Sequence, residues 1–200
     1  MIAEFEKVVR FVLEVEKLKG ILRKSRPLIQ QRRYENSAEH SWQVALLAQT
    51  LAPLAASPVD TGRVTRMLII HDIVEIDTGD KIIYSDAHDD YEKEREAAGR
   101  IFGILPETIA AEYRALWEEF EARETPDAKF ARAMDRLMPV LQNIHNQGQT
   151  WVENNITIDQ VLQKNEIIAS AHPQIWQWVR ARLEAAVEQG YLKAGRRDTE

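Results

Sequence analysis

Cysteine is absent from this chain of 200 residues. Its absence excludes a disulfide framework and thiol catalysis, and it restricts any metal site to nitrogen and oxygen ligands. The five histidines are the side chains that can supply the nitrogen. The sequence also lacks an apolar run of the roughly 18 residues that a membrane span requires, so we expect no membrane partner.

An excess of positive charge is also missing. The chain has 26 Lys and Arg against 32 Asp and Glu, and its formal net charge is −6. A groove for a nucleic acid polymer would require a basic stripe, so such a partner is not expected. A small phosphorylated substrate is compatible with the composition, because a bound metal and a few arginines create a local positive site.

Alternating strand patterns, internal repeats and linkers are absent as well. Hydrophobic residues make up 44% of the chain, which is sufficient for a core, and the length suits one domain. We therefore expect an all-α, single-domain helical bundle over residues 1–192, followed by a polar tail at 193–200. The first residues are charged and lack the apolar segment of a signal peptide, so a cytoplasmic location is expected.

Apolar spacing and capping residues predict where the helices lie. Asn36 and Thr157 are each followed by Glu or Gln three residues later, which indicates a capping box at each position. In the first helix, Phe5 and Val12 belong to an apolar stripe that is predicted to pack in the core, and Trp42 is predicted to pack beside the functional site. The predicted helices cover residues 3–19, 37–55, 61–76, 90–103, 106–123, 126–147, 157–171 and 173–190.

The most informative stretch covers residues 68–75, where His71 and Asp72 interrupt an apolar run. A buried histidine and a buried carboxylate are costly unless they are paired, hydrogen-bonded or bound to a metal. Glu75 follows His71 by four residues, so on a helix both lie on the same face. This stretch therefore predicts a metal or proton-handling site.

Two further residues complete a candidate metal site. His40 lies in the first turn of one predicted helix, and Asp135 interrupts the apolar pattern of another. With His71 and Asp72 they provide two imidazoles and two carboxylates, which suit one divalent ion such as Mn, Co, Fe, Zn or Mg, although nitrogen ligands disfavour pure Mg. Four protein ligands leave room for water and a substrate oxygen.

The ordered set His40, His71-Asp72 and Asp135 resembles the HD-domain metal-dependent phosphohydrolases, in particular their 5'-deoxynucleotidase branch. The matching pieces are RYENSAEHS at 33–41, HDIVEIDTGD at 71–80, and the Lys129-Phe130 pair that leads to Asp135. The resemblance extends from about residue 18 to about residue 149. It implies a helical bundle with the metal between central helices, a nucleoside 5'-monophosphate substrate with a 2'-deoxy preference, and a homodimer.

Roles for individual residues follow from this resemblance and from their chemistry. Asp72 is counted both as a metal ligand and as a catalytic residue, and Glu75 is expected to orient or deprotonate the attacking water. Arg33 and Arg26 are predicted to neutralise the phosphate, because a guanidinium can bind two phosphate oxygens. Asp80 is expected near the sugar, since Gly79 permits a sharp turn before it. Around Arg26 the sequence differs from the Arg-Trp-Pro of the deoxynucleotidases, so the base and sugar preference stays open.

Three other functions remain as alternatives. Hydrolases of guanosine tetraphosphate-type alarmones usually carry an acidic residue directly after the glutamate, where this chain has Ile76. A dNTP phosphohydrolase would require a larger basic pocket than a short acidic chain suggests. The third alternative is a catalytically silent helical module that senses nucleotides. The segment at 81–90 is predicted to be a loop, and a lid over the site is one possible role for it.

Overall fold

The computed structural model describes residues 1–29, 32–84 and 91–195. Within these ranges there is no β-strand, only two isolated bridges, Leu22 with Asn36 and Thr157 with Lys193. The all-α prediction is therefore confirmed. Three 3-10 helices (Glu16–Gly20, Ala52–Leu54, His71–Val74) accompany the α-helices. The α-helices are α1 Ile2–Val15, α2 Ser37–Leu51, α3 Thr61–Ile70, α4 Glu75–Thr78, α5 Tyr91–Phe102, α6 Glu107–Ala122, α7 Pro126–His145, α8 Gln149–Glu153, α9 Ile158–Asn165, α10 Ile168–Ala171 and α11 Pro173–Glu188.

Local capping determines where the helices that carry the site begin. The Asn36 side chain accepts a hydrogen bond from the Glu39 backbone (2.9 Å), and the Glu39 carboxylate accepts one from the Asn36 backbone (2.7 Å). Both halves of the predicted capping box are thus present, as they are at Thr157. Since α2 begins at Ser37, His40 lies in its first turn, where its ring can face the bundle.

Helix α7 is the centre of the bundle and packs against α2, α3, α6 and α10. It continues to His145 with Pro139 inside it. Its apolar side chains are buried among the large rings of the core, the most deeply buried of which are Trp117, Trp151, Phe102 and Phe120. Asp135 is buried halfway along α7, among these apolar neighbours. An ionisable side chain in such a place needs a charged or hydrogen-bonding partner.

The predicted continuous helix over 61–76 is wrong at its centre. Helix α3 ends at Ile70, residues His71–Val74 form a 3-10 helix, and α4 begins at Glu75. The His71 ring Nδ1 donates a hydrogen bond to the Leu68 carbonyl oxygen at 2.8 Å, so this oxygen bonds a side chain three residues later. Because a 3-10 helix has three residues per turn, Asp72 and Glu75 lie on the same side of the segment.

The apolar stripe predicted to pack in the core is buried only in part: Val15, which belongs to the same stripe, packs against the core, whereas other members are exposed. Phe5 and Val12 are 66% and 59% exposed, whereas Phe11 is buried. Phe11 packs edge-on against Tyr113, with 6.0 Å between the ring centroids. The helix has apolar residues on two sides, and its periodicity does not indicate which side faces the bundle.

Two tryptophans also lie elsewhere than predicted. Trp42 is 65% exposed instead of packing beside the site. It follows His40 by two residues, which on an α-helix is about 200° around the axis, so the two side chains point in opposite directions. Trp178, which the apolar spacing of the last helix predicts on its buried face, is 41% exposed, while its neighbour Val179 is buried.

In the described part of the chain, no helix is both long enough and apolar enough to span a bilayer. Two predicted features extend beyond that part. Residues 85–90 of the predicted loop and residues 196–200 of the predicted tail lie outside the described residues.

Candidate metal centre and adjoining cavity

The four predicted ligands converge although they are far apart in the sequence. His40 Nε2 lies 3.1 Å from Asp135 Oδ1, and His71 Nε2 lies 3.0 Å from Asp72 Oδ1 and 3.6 Å from Asp135 Oδ1. One ligand atom from each of His40, His71 and Asp72 lies within 4.8 Å of the others. Helix α2, the 3-10 segment and α7 each contribute to this cluster.

The hydrogen bonds of His71 and the donor set of the cluster fit a divalent cation. A carbonyl oxygen only accepts, so the bond to Leu68 places a proton on His71 Nδ1 and directs Nε2 toward the acidic side chains. This Nε2 atom is buried and has no hydrogen-bond partner. Two imidazole nitrogens and two carboxylates at this spacing match the ligands of first-row divalent ions.

Glu35 supports the first ligand, and the sequence interpretation did not identify it. Its carboxylate lies 3.4 Å from His40 Nδ1 and accepts hydrogen bonds from Ser25 Oγ and from Gln142 Nε2, both at 2.7 Å. Burial alone would raise the pKa of Glu35, but His40, the Ser25 hydroxyl and the charge of Arg23 lower it. A carboxylate behind a ligating histidine fixes the orientation of the ring. The sequence signal was an acidic residue directly before the α2 cap.

Glu75 and Asp80 form an acidic wall beside the cluster. Ser37 Oγ donates a hydrogen bond to Glu75 at 2.5 Å, and the Lys24 backbone donates one to Asp80 at 3.1 Å. Gly79 adopts a positive φ of 71°, so the predicted sharp turn is present and brings Asp80 to the site. Burial, followed by the negative charge of Asp72, raises the pKa of Glu75 well above its usual value.

Arg23 lies between these carboxylates. Its Nη1 is 2.6 Å from Asp72 Oδ2, 3.9 Å from Glu75 and 3.8 Å from Asp80. Burial opposes the charge, but the carboxylates raise the pKa of Arg23. No role for Arg23 could be predicted from the sequence, because its partners come from distant segments.

A cavity of about 990 Å³ adjoins the cluster. This volume is at the upper end of the range for small-molecule sites. Its wall contains His71, Asp72 and Asp135 from the cluster, and Glu75 and Asp80 from the acidic wall. A nucleotide-sized ligand can therefore reach the candidate metal position.

The two arginines predicted to bind phosphate lie elsewhere. Arg33 forms two hydrogen bonds with the Glu39 carboxylate, at 2.5 and 2.9 Å. Arg26 stacks over the Tyr34 ring at 4.2 Å and pairs with Glu153 at 3.1 Å. Neither belongs to the described residues that line the cavity. Nearby acidic and aromatic side chains hold both guanidinium groups outside this lining, and their role in binding phosphate stays a prediction.

The charge on His71 predicts that cation binding releases a proton. Burial opposes protonation, but the negative charges of Asp72 and Asp135 raise the pKa of His71 to about 10. Below that pH the cation-free ring carries a proton on Nε2, and this proton must leave before the nitrogen can bind an ion. We expect release of about one proton per ion, so that apparent affinity rises about tenfold per pH unit below pH ~10.

Calorimetry at pH 7.5, in two buffers that differ in ionisation enthalpy, measures this release directly. For one proton released per ion, the two binding enthalpies should differ by about the difference between the ionisation enthalpies of the two buffers. An enthalpy that does not depend on the buffer would contradict the protonated state of His71.

The structure thus defines an all-helical domain with a His₂Asp₂ cluster at the junction of its central helices. An HD domain family model matches residues 15–176, and the chain belongs to this family. A crystal structure of a predicted metal-dependent phosphohydrolase from Magnetospirillum magnetotacticum MS-1 is 47% identical, covers 95% of this chain and 96% of that one, and has a TM-score of 0.90.

Two more distant relatives agree with this family. The human 5'-deoxynucleotidase HDDC2 is 28% identical over 138 residues, which is 68% of this chain and 66% of the human protein. The chain therefore spans just under two thirds of that relative's length. The PH0347 protein from Pyrococcus horikoshii OT3 is 22% identical, with coverage of 87% and 99% and a TM-score of 0.66, and it shares the fold.

Proposed function

We propose that this protein is a metal-dependent phosphohydrolase that cleaves the phosphate monoester of nucleoside 5'-monophosphates, with a preference for 2'-deoxynucleotides. The observation that carries the proposal is the convergence of His40, His71, Asp72 and Asp135 on one point of a large cavity. Similarity to relatives named as 5'-deoxynucleotidases and as a predicted phosphohydrolase supports the substrate class and the reaction.

The proposed reaction assigns separate roles to the metal ligands and to Glu75. His40, His71, Asp72 and Asp135 would hold the ion, which when bound polarises a phosphoryl oxygen and lowers the pKa of water. Glu75 would orient the attacking water and accept its proton. Its raised pKa makes it a stronger base than an ordinary carboxylate, and Ser37 fixes its position.

Water then attacks phosphorus, and the P–O bond to the 5' oxygen breaks. The nucleoside leaves with that oxygen, which takes up a proton from the solvent. The products are a nucleoside and inorganic phosphate. Asp80, which is held by the Lys24 backbone at the cavity wall, would accept a hydrogen bond from a sugar hydroxyl. In this proposal, the sugar preference depends on the acidic side of the cavity.

A substrate panel tests the proposal. Nucleoside mono-, di- and triphosphates, in ribo and deoxy forms, and a guanosine tetraphosphate-type alarmone are each assayed for free phosphate with Mn, Co, Mg or Zn. We expect phosphate release from deoxynucleoside monophosphates that stops on chelation of the metal. Release of triphosphate or pyrophosphate would instead indicate a dNTP or alarmone hydrolase, and no release with any metal would indicate a silent module.

We also propose that the protein acts as a homodimer in the cytoplasm, as the family resemblance suggests. Exposed apolar side chains on α1, among them Phe5 and Val12, provide a surface that a second copy can cover. Light scattering at micromolar concentration should give twice the chain mass of 23.1 kDa. Cell fractionation tests the location.

A further inference from the structure

A phosphate monoester requires cationic partners beside the metal, and Arg23 does not suit this role. Besides its contacts with Asp72, Glu75 and Asp80, its Nε lies 3.7 Å from Glu35. The negative charge of four carboxylates within 4 Å exceeds the positive charge of the single Arg23 guanidinium. If Asp72 shares its charge with a cation, three acidic partners still surround Arg23.

A second basic group lies on the opposite side of Asp135. While Oδ1 of Asp135 faces the histidines, its Oδ2 lies 3.4 Å from Arg132 Nη1 and 3.9 Å from Arg136 Nε. Both arginine side chains are largely buried, with 12% and 18% of their surface exposed. Both also line the cavity that contains the acidic wall.

These two arginines have too few acceptors. Arg132 stacks on the Phe120 ring at 4.9 Å and lies 3.5 Å from Glu121, but its Nε is buried without a hydrogen-bond partner. Among the described residues, the nearest carboxylate oxygen to Arg136 is that of Asp135, at 3.9 Å, which is beyond hydrogen-bond distance.

An anion bound beside Arg132 and Arg136 would compensate their positive charge and supply the missing hydrogen-bond acceptors. A buried guanidinium without acceptors is unfavourable, and a cation on Oδ1 of Asp135 would withdraw further negative charge from the arginines. A guanidinium fork can bind two phosphate oxygens, and the Phe120 ring holds that of Arg132 in a fixed plane. Carboxylates dominate the Arg23 side, so a dianion is favoured on the arginine side.

We propose that Arg132 and Arg136 form the subsite that binds the phosphate of the substrate, and that Arg23 is a positioning residue that keeps the acidic wall in place. The identity of the bound group as the substrate's phosphate rests on the proposed function. The subsite itself also predicts binding of inorganic phosphate, the expected product, without any turnover.

The test compares phosphate and metal affinity in Arg132→Gln and Arg136→Gln, with inorganic phosphate titrated into the metal-loaded protein by calorimetry. Loss of a charge-assisted contact should weaken phosphate binding about 10- to 100-fold. Metal affinity should stay equal or increase, because a positive charge beside Asp135 has been removed. A variant that was merely misfolded would lose both affinities.

Matched arginines provide the controls. Arg100→Gln removes a guanidinium that pairs with Asp77 and Glu14 outside the cavity, so it should leave phosphate binding unchanged. Arg136→Lys keeps the charge and should retain more phosphate affinity than Arg136→Gln. Unchanged phosphate affinity in both glutamine variants would overturn the proposal. A loss of phosphate affinity in Arg33→Gln would also overturn it, and would support the role that the sequence predicts for Arg33.

Failure of this inference can be separated from failure of the proposed function. If nucleotides are hydrolysed normally by both glutamine variants, the function stands and the subsite is rejected. If no nucleotide is hydrolysed but the variants lose phosphate binding, the subsite stands and the function is rejected. For an active enzyme, we expect the KM for the monophosphate to rise about 10- to 100-fold.

Discussion

Asp72→Ala should abolish both cation binding and turnover. The carboxylate provides one of four ligand oxygens or nitrogens, and it also lies 2.6 Å from Arg23 and 3.0 Å from His71. Removal of supporting groups around metal sites already costs about 10- to 100-fold in affinity, so loss of a ligand should cost more. Phosphate release should fall to background, and metal titration should show no saturable binding.

The matched control is Asp77→Ala, five residues further along the same segment. Asp77 pairs with Arg100 and does not line the cavity. Its removal should leave metal affinity and turnover within about twofold, which is the range of a minor surface change. Circular dichroism verifies that both variants are folded. Full phosphatase activity of folded Asp72→Ala would refute the assignment of the metal centre.

Glu75→Gln should separate binding from chemistry. The amide keeps the size of the side chain and its bond to Ser37, so the cation should still bind with nearly the same affinity. It cannot accept a proton, and loss of a general base typically lowers the rate about 10²- to 10⁴-fold. We expect this loss in kcat at saturating substrate, with KM nearly unchanged.

The pH profile adds a second readout for Glu75. Burial and the charge of Asp72 raise its pKa, so the carboxyl remains protonated to a higher pH than an ordinary glutamate. Because the carboxylate is the active base, the rate should increase as pH rises through that pKa. Glu75→Gln should flatten this rise, whereas Glu118→Gln, an exposed partner of Arg114, should not. An unchanged rate in Glu75→Gln would remove this residue from the mechanism.

Features that depend on local chemistry could be predicted from the sequence. The caps at Asn36 and Thr157 depend on side chains three residues away, and both are present. The metal cluster was also predictable, because a histidine and an aspartate inside apolar segments need a common partner. The change from α-helix to 3-10 helix at His71 could not be predicted. It coincides with the hydrogen bond between the His71 ring and the Leu68 carbonyl oxygen, which the sequence does not show.

Tertiary pairing explains why the surroundings of the arginines could not be predicted from the sequence. The sequence does not indicate which carboxylate will form an ion pair with a given arginine. Arg33 is held by Glu39 in the next turn, whereas Arg132 and Arg136 flank Asp135 on α7 and share its second oxygen. The exposure of part of α1 is explained in the same way. Periodicity shows that Phe5 and Val12 share a face, but it does not show that Tyr113 packs against another side of the helix.

The two oxygens of Asp135 face in opposite directions, one toward the histidines and one toward the arginines. A single carboxylate therefore couples two binding equilibria. An ion that draws electron density to one oxygen leaves the arginines less neutralised, so their affinity for an anion increases. By thermodynamic reciprocity, the bound anion must increase the affinity for the ion by the same factor. Loading with both ligands is then cooperative, and the ion is held least tightly when the anion has left.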